Sequence, residues 1–187
     1  MPSALKEIGI KKAFKFFYTT LLMILYKFMI FPQMRTIFLR LCGAKIGKHT
    51  IISSDVKFIN LYRTGFKGLT IGNYCFIADE AMFDLADKIT LGDYVTVGWR
   101  SLIITHLNVG YKAHPLQKCF PPIAKPVFLD YGSFVGANVT ILSGVTIGKC
   151  VFVAAGSVVT EDVAEYSLVA GVPARVIRKI DSEFLNI

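Results

Sequence analysis

The sequence predicts an all-β solenoid, a triangular coil of short stacked strands with a helical segment before it and one long loop protruding from its middle. Three observations point there. First, a branched residue falls every sixth place at Leu129, Val135, Ile141, Ile147, Val153 and Val159, and four places after each stands a small or β-branched one, Ser133, Val139, Val145, Val151, Ser157 and Val163. The same beat occupies Ile71, Ile77, Phe83 and Ile89, resets by two residues at Leu91 and runs on through Val97 and Ile103; Ile46, Ile52 and Phe58 carry a weaker copy. A period this short belongs to stacked rungs that bury one continuous core. Second, charge is segregated along the chain. Third, a single proline-rich stretch breaks the beat.

The 187 residues suit one main domain with an appendage. Apolar residues make up 53% and the mean hydropathy is +0.53. Residues 1–48 hold Lys6, Lys11, Lys12, Lys15, Lys27, Arg35, Arg40, Lys45 and Lys48 against Glu7 alone, so the whole net charge of +8 lies there. The remainder is neutral, and the basic pI is therefore no nucleic-acid signal. Cys42, Cys75, Cys119 and Cys150 form no CxxC pair, which argues against a zinc ribbon or a disulfide scaffold and fits a reducing compartment. No small-residue cleavage site follows the apolar run, so the cytosolic side is the expected location.

Residues 1–42 read as a basic, apolar helical segment. On a helix, Phe14, Phe17, Leu21, Ile24, Leu25, Phe28 and Phe31 share one face. Lys11, Lys12, Lys15, Thr19, Tyr26 and Lys27 gather on the other half, among Leu22, Met23 and Met29. That pattern suits a helix lying in an anionic membrane surface, with residues 6–48 supplying the attraction at about 1 kcal/mol per Lys/Arg. A span is the rival, although a lysine near mid-helix costs about 2.5–3.5 kcal/mol on insertion scales. Packing against the solenoid or another subunit is the third possibility. Pro32 is expected to end this helix, and a second amphipathic stretch, Met34–Leu41, leads into the first rung.

Residues 43–178 form the solenoid, three hexapeptides to a rung, and residues 179–187 a tail. Ile71–Lys88, Leu91–Asn108, Leu129–Thr146 and Ile147–Ala164 each fit one coil. Gly72, Gly92, Gly98, Gly136 and Gly148 follow the branched residue, where backbone freedom is expected to help the chain turn. Residues 109–126 form the protruding loop, with Pro115, Pro121, Pro122 and Pro126 among Lys112, Lys118 and Lys125. Long loops inside regular folds usually carry function. This one leaves the coil directly after Ile104-Thr105-His106.

Leu91-Gly92-Asp93, Thr105-His106, Lys125-Pro126-Val127, Val135-Gly136-Ala137-Asn138, Ser143-Gly144-Val145-Thr146-Ile147-Gly148, Ala155-Gly156-Ser157-Val158-Val159-Thr160 and Ala170-Gly171-Val172-Pro173-Ala174-Arg175-Val176-Ile177 resemble the hexapeptide-repeat acyltransferases over about residues 40–178. The nearest likeness is to the O-acetyltransferases of exopolysaccharide synthesis, the colanic-acid type, with maltose and galactoside acetyltransferases more distant. The resemblance implies a left-handed parallel β-helix, acetyl-CoA as acyl donor with no metal, and a homotrimer with active sites between subunits. It also implies that His106, just before the loop, is the general base. A sugar hydroxyl is a poor nucleophile toward a thioester, and histidine is the residue suited to remove its proton near neutrality. Asp84 and Asn108 are candidates to fix the imidazole's second nitrogen and to line the substrate side. Gly136, Ala137, Ala155, Gly156 and Thr160 match positions along the pantetheine arm, and Arg175 and Arg178 match basic residues near the nucleotide phosphates, where guanidinium geometry suits the anion.

Departures from the pattern are informative. By spacing from Ile71, Ala78 stands where galactoside-type enzymes carry an acceptor-holding Asn; Phe134 replaces a usual Trp, and Glu161 a common Lys. Ala78 favours sugar O-acetylation of the exopolysaccharide kind, Glu161 weakens any phosphate contact at its position, and the basic apolar helical segment points to a sugar or lipid-linked glycan acceptor at the cytosolic face of the membrane. N-acetylation of an amino sugar and a non-catalytic scaffold are the alternatives. A zinc hydratase would need three converging histidines, and the chain has only His49, His106 and His114, in the first rung, the third rung and the loop.

Overall fold

The computed structural model describes residues 10–110, 113–181 and 183. Lys6, Lys112 and residues 184–187 lie outside the described residues, as do the side chains of Lys11 and Lys12.

Two- and three-residue strands stack in parallel on three faces, as the hexapeptide beat requires. The first face holds Lys45–Ile46, Leu69–Ile71, Ile89–Leu91, Val127–Leu129 and Thr146–Ile147. The second holds Ile51–Ile52, Phe76–Ile77, Thr96–Val97, Phe134–Val135, Phe152–Val153 and Ser167–Gly171, closed by the antiparallel strand Ala174–Lys179. The third holds Lys57–Ile59, Met82–Asp84, Leu102–Ile103, Thr140–Ile141 and Val158–Val159. The coil is a left-handed parallel β-helix. Leu129, Val135, Ile141, Ile147 and Val153 are fully buried, and so are Ser133 and Ser157 four places after their branched residues.

Register shows where the coil departs from eighteen residues. Ile46 pairs with Ile71, Ile71 with Leu91, Leu91 with Leu129 and Leu129 with Ile147, steps of 25, 20, 38 and 18 residues. Within each coil the branched residues stay six apart, so every excess residue falls on the edge where the third face returns to the first. The insertions are a short helix with a 3-10 turn at Leu61–Thr64 and Gly65–Gly68, a widened turn after Asp84, and the protruding loop. Ile89 belongs to the strand that carries Leu91, which accounts for the two-residue reset. We call this side the breached edge. The first and second faces meet at a tyrosine edge, the second and third at a glycine edge.

The glycines work differently from the expectation of turning freedom. A Cβ on Gly72, Gly92, Gly98, Gly136 or Gly148 would come within 2.4–2.8 Å of atoms of the next coil, mostly backbone. Close stacking requires them. The left-handed turn positions lie two residues further on and are filled by non-glycine residues, among them His49, Tyr74, Tyr94, Arg100, Asn138 and Cys150 at φ of 51–60°. The surrounding coils hold these residues in that less favourable region.

Two helices plug the amino-terminal end of the prism. The first, Ile10–Lys27, stops five residues before Pro32, and Pro32 instead opens the second, Pro32–Leu41, at a position where its missing N–H costs nothing. Its predecessor Phe31 is extended (φ −90°, ψ 144°), as the residue before proline should be. Arg35 clamps the link onto the first coil, donating to the carbonyls of Met29 (2.8 Å), Ile30 and Ile52 (2.8 Å). Tyr26 and Leu39 are buried in the solenoid core, Leu39 contributing about 1.5–3 kcal/mol by removal from water. The first helix docks through Thr19, Leu22, Met23 and Tyr26, so Phe14, Phe17, Leu21, Ile24, Leu25 and Phe28 face outward. Among the described residues no helix is long and apolar enough to cross a membrane.

Candidate active site

The breached edge gathers its polar residues around one buried carboxylate. The third-face strand Met82–Asp84 ends where the coil widens, leaving Asp84 only 1% exposed. Its Oδ1 accepts from Asn60 Nδ2 (2.7 Å) and the Ala86 N–H (3.2 Å), and its Oδ2 from the Thr105 N–H (2.9 Å). His106 Nδ1 lies 2.5 Å from the same Oδ2. Thr105 Oγ1 ties the two coils together, donating to the Asp84 carbonyl (2.6 Å) and accepting from the Asp87 N–H (2.9 Å). Burial pushes the Asp84 carboxyl up, yet the hydrogen bonds from Asn60, His106 and Thr105 outweigh it and hold the pKa below the usual carboxylate range.

An ionised carboxylate only accepts, so the proton between the pair resides on His106 Nδ1, and in the neutral ring the lone pair is on Nε2. The ring is 31% exposed and stands at the foot of the loop. There His106–Leu107 pairs antiparallel with Ile123–Ala124, and the Lys125 N–H donates to the Thr105 carbonyl (2.8 Å). A fixed tautomer, an accessible Nε2 and a buried counter-charge are the attributes of a general base.

The other predicted residues are placed as follows. Asn108 is exposed and turns into its own loop, its Oδ1 accepting from the Gly110 N–H (2.9 Å), with no hydrogen bond to His106 among the described residues. Asp84 is too deeply buried to line a substrate surface; it faces the imidazole instead. Gly136 and Ala137 stack directly beneath Ala155 and Gly156 on the glycine edge, where the Gly156 N–H donates to the Ala137 carbonyl (2.9 Å). Ala155 and Gly156 are exposed, and nothing stands within 4 Å of where a Gly156 Cβ would be. Thr160 is exposed on the breached edge, in the column above Ile104 and Leu142. Arg175 and Arg178 lie exposed on the last strand, Arg175 reaching Glu161 only at 4.0 Å. A single chain thus brings His106 and Thr160 to one edge and the four small residues to another.

Asn60 is the residue that sequence reading missed. It stands one coil before Asp84, and the 25-residue step hid that juxtaposition. The histidines do not converge: His49 stacks on Tyr74 at 4.9 Å on the tyrosine edge, and His114 accepts from the Leu116 N–H. Among the described residues no group of three His, Cys, Asp or Glu side chains could hold a metal ion.

Comparison with known proteins places this geometry. No protein-family model matches the chain. A hexapeptide-repeat acetyltransferase of Vibrio cholerae, solved with acetyl coenzyme A, superposes with a TM-score of 0.76 at 26% identity over 96% of this chain and 91% of its own. The chain has the fold of the hexapeptide-repeat acetyltransferases and is similar to them along most of its length. A maltose O-acetyltransferase of Clostridium difficile aligns with a TM-score of 0.78 at 25% identity, over 92% of this chain and 90% of its own. A 2,3,4,5-tetrahydropyridine-2,6-dicarboxylate N-acetyltransferase of Brevibacillus brevis is 52% identical over 63 residues, 34% of this chain. The match spans about a quarter, 27%, of that curated relative's length. In this hexapeptide-repeat protein, the shared fold accounts for the prism and the local pairs account for the site.

Proposed function

We propose that the chain transfers an acetyl group from acetyl-CoA to a sugar hydroxyl. The observation that carries this reading is the His106–Asp84 pair, with Nδ1 held by a buried carboxylate and Nε2 left free. His106 Nε2 takes the hydroxyl proton as the acceptor oxygen bonds to the thioester carbonyl carbon. The C–S bond then breaks, and the imidazolium returns the proton to the departing sulfur, giving an acetyl ester and CoA–SH. Asp84 stabilises the transient imidazolium. General-base catalysis of this kind contributes about 10²–10⁴-fold, and no covalent enzyme intermediate is needed.

The residues fit acetyl-CoA, as the bound acetyl coenzyme A of the Vibrio relative would suggest. The side-chain-poor turns at Ala137, Ala155 and Gly156 leave room beside backbone groups, and Arg175 and Arg178 offer exposed guanidinium groups on the last strand. Because those turns and His106 occupy different edges, the complete site is assembled from neighbouring subunits of a homotrimer. Analytical ultracentrifugation should return three times the mass of the chain.

The acceptor belongs to envelope or exopolysaccharide synthesis, of the colanic-acid type. Ala78, buried on the glycine edge, offers no amide to an acceptor, so the sugar must be held differently from galactoside-type substrates. The outward aromatic and aliphatic stripe of the first helix, beside Lys27, supports residence on the cytosolic membrane surface. Enzyme and acceptor then meet at raised effective concentration.

Incubating the full chain with radiolabelled acetyl-CoA and cell extract should label a lipid-extractable glycan. Calorimetry that detects no CoA binding would overturn the proposal. The 63-residue match to N-acetyltransferases favours a second reading, acetylation of an amino group, since a proton acceptor at His106 serves either nucleophile. Alkaline hydrolysis separates them, as esters are cleaved and amides survive.

A further inference from the structure

A cavity of about 350 Å³ lies between the first helix and the first coil, on the same edge as His106. Phe16, Thr19, Thr20 and Met23 form one wall, and residues 58–62, Phe58 to Tyr62, the other. Its polar groups are mostly engaged elsewhere. The Thr19 and Thr20 hydroxyls both donate to the Phe16 carbonyl (3.0 and 2.9 Å), and the Asn60 amide N–H donates to Asp84. The lining therefore presents mainly hydrocarbon. Lys15 Nζ, bonded to the Arg63 carbonyl (3.0 Å), ties the helix to the short helix beyond the groove.

Position gives the groove a meaning. Its rim on the helix adjoins the outward stripe of Phe17, Leu21 and Ile24. Its inner end is Asn60, one hydrogen bond from Asp84, which is one hydrogen bond from His106. The first and third coils are about 10 Å apart at about 4.8 Å per strand spacing. The volume is at the low end of the about 300–1,000 Å³ of ligand pockets, enough for a segment of chain but not a whole lipid.

We infer that this groove binds the hydrocarbon chain of the acceptor itself, at the end next to its headgroup, and so leads the attached sugar up the breached edge to His106. The inference rests on the reading of the acceptor as lipid-linked. It assigns the first helix a second task, selecting substrate as well as meeting the membrane.

The test reads binding without turnover. A dodecyl glucoside carrying a diazirine in its alkyl chain is photolysed with the full chain, and the labelled peptides are identified by mass spectrometry. Labelling should fall on residues 16–23 and 58–62 and be competed by farnesyl phosphate. Thr20→Trp, filling the groove from its rim, and Tyr62→Arg, placing a cation on the opposite wall, should each reduce it at least tenfold, with retained CoA binding showing that the variants fold. Labelling confined to Phe17, Ile24 and Phe28, or undiminished in both variants, overturns the groove. So does equal labelling of the groove by a diazirine phosphatidylglycerol in vesicles, which would assign it to bilayer lipid. A chain that acetylates soluble sugars yet labels nowhere in the groove sinks this inference and leaves acyl transfer standing; one that labels but never binds CoA does the reverse.

Discussion

The breached edge and the tyrosine edge turn the same chain through the same corner, and they differ in what the turn contains. On the tyrosine edge every coil keeps its spacing, and rings stack up the prism: His49 on Tyr74 at 4.9 Å, Tyr74 on Tyr94 at 5.0 Å, Tyr94 edge-on to Tyr131 at 5.4 Å. Those ring faces are covered by one another, which favours stability. On the breached edge the coils are widened by different amounts, and the space is filled by a carboxylate with its donors. Uniform repetition can only repeat a contact. Unequal insertions bring Asn60, Asp84, Thr105 and His106, from three different coils, to one point.

The comparison breaks most sharply at His106. His106→Ala should lower kcat by about 10²–10⁴-fold with the fold intact by circular dichroism; near-wild-type turnover would remove the catalytic assignment from this edge.

Asp84→Asn comes next. Every group facing the carboxylate is a donor, so an amide must point its NH2 at one of them, and we expect a loss of about 1–3 kcal/mol of stability with roughly 10²-fold lower kcat. The sign of the pH dependence follows from the depressed pKa of Asp84. Its contribution is full above the unfolded carboxylate value of about 3.9 and is lost as pH falls through the lower folded value. The gap in urea midpoint between wild type and Asp84→Asn should be present at pH 7 and shrink below about pH 4. A gap independent of pH would mean that the charge of Asp84 does not matter.

On the helix, Phe17→Ser, Ile24→Ser and Phe28→Ser together should weaken sedimentation with anionic vesicles by at least about tenfold, since each apolar side chain contributes up to about 1.5–3 kcal/mol when buried. All three side chains are exposed, so the melting temperature should hold. Unchanged sedimentation would give that stripe to a protein partner.

The smallest effect is expected on the tyrosine edge. Tyr94→Asn, chosen because asparagine tolerates the φ of 60° there, should cost about 1–2 kcal/mol for its two ring contacts and change turnover less than twofold. A large activity loss would mean that the edges are coupled.

How much of this was legible in the chain varies by residue. The hexapeptide beat marked the core correctly down to Ser133 and Ser157, because a period of six with one branched and one small inward position is a local constraint. The glycines suggest turning freedom in the sequence but serve close stacking in the fold: Gly136 is needed by Ala155, nineteen residues away, and no local rule shows that contact. Pro32 reads from the sequence as the end of the first helix, yet its fixed φ also suits the start of the next, which is where it stands.

Sequence alone determined the repeat, the place where it is interrupted and the imidazole beside the interruption, since each is written in consecutive residues. Only the folded coil decided which carboxylate meets that imidazole, that Asn60 supports it, that Asn108 does not, and which stripe of the first helix faces outward. Those outcomes depend on register between coils of 25, 20 and 38 residues. Such register is set by stacking the branched core, a cooperative property that no single stretch of chain contains.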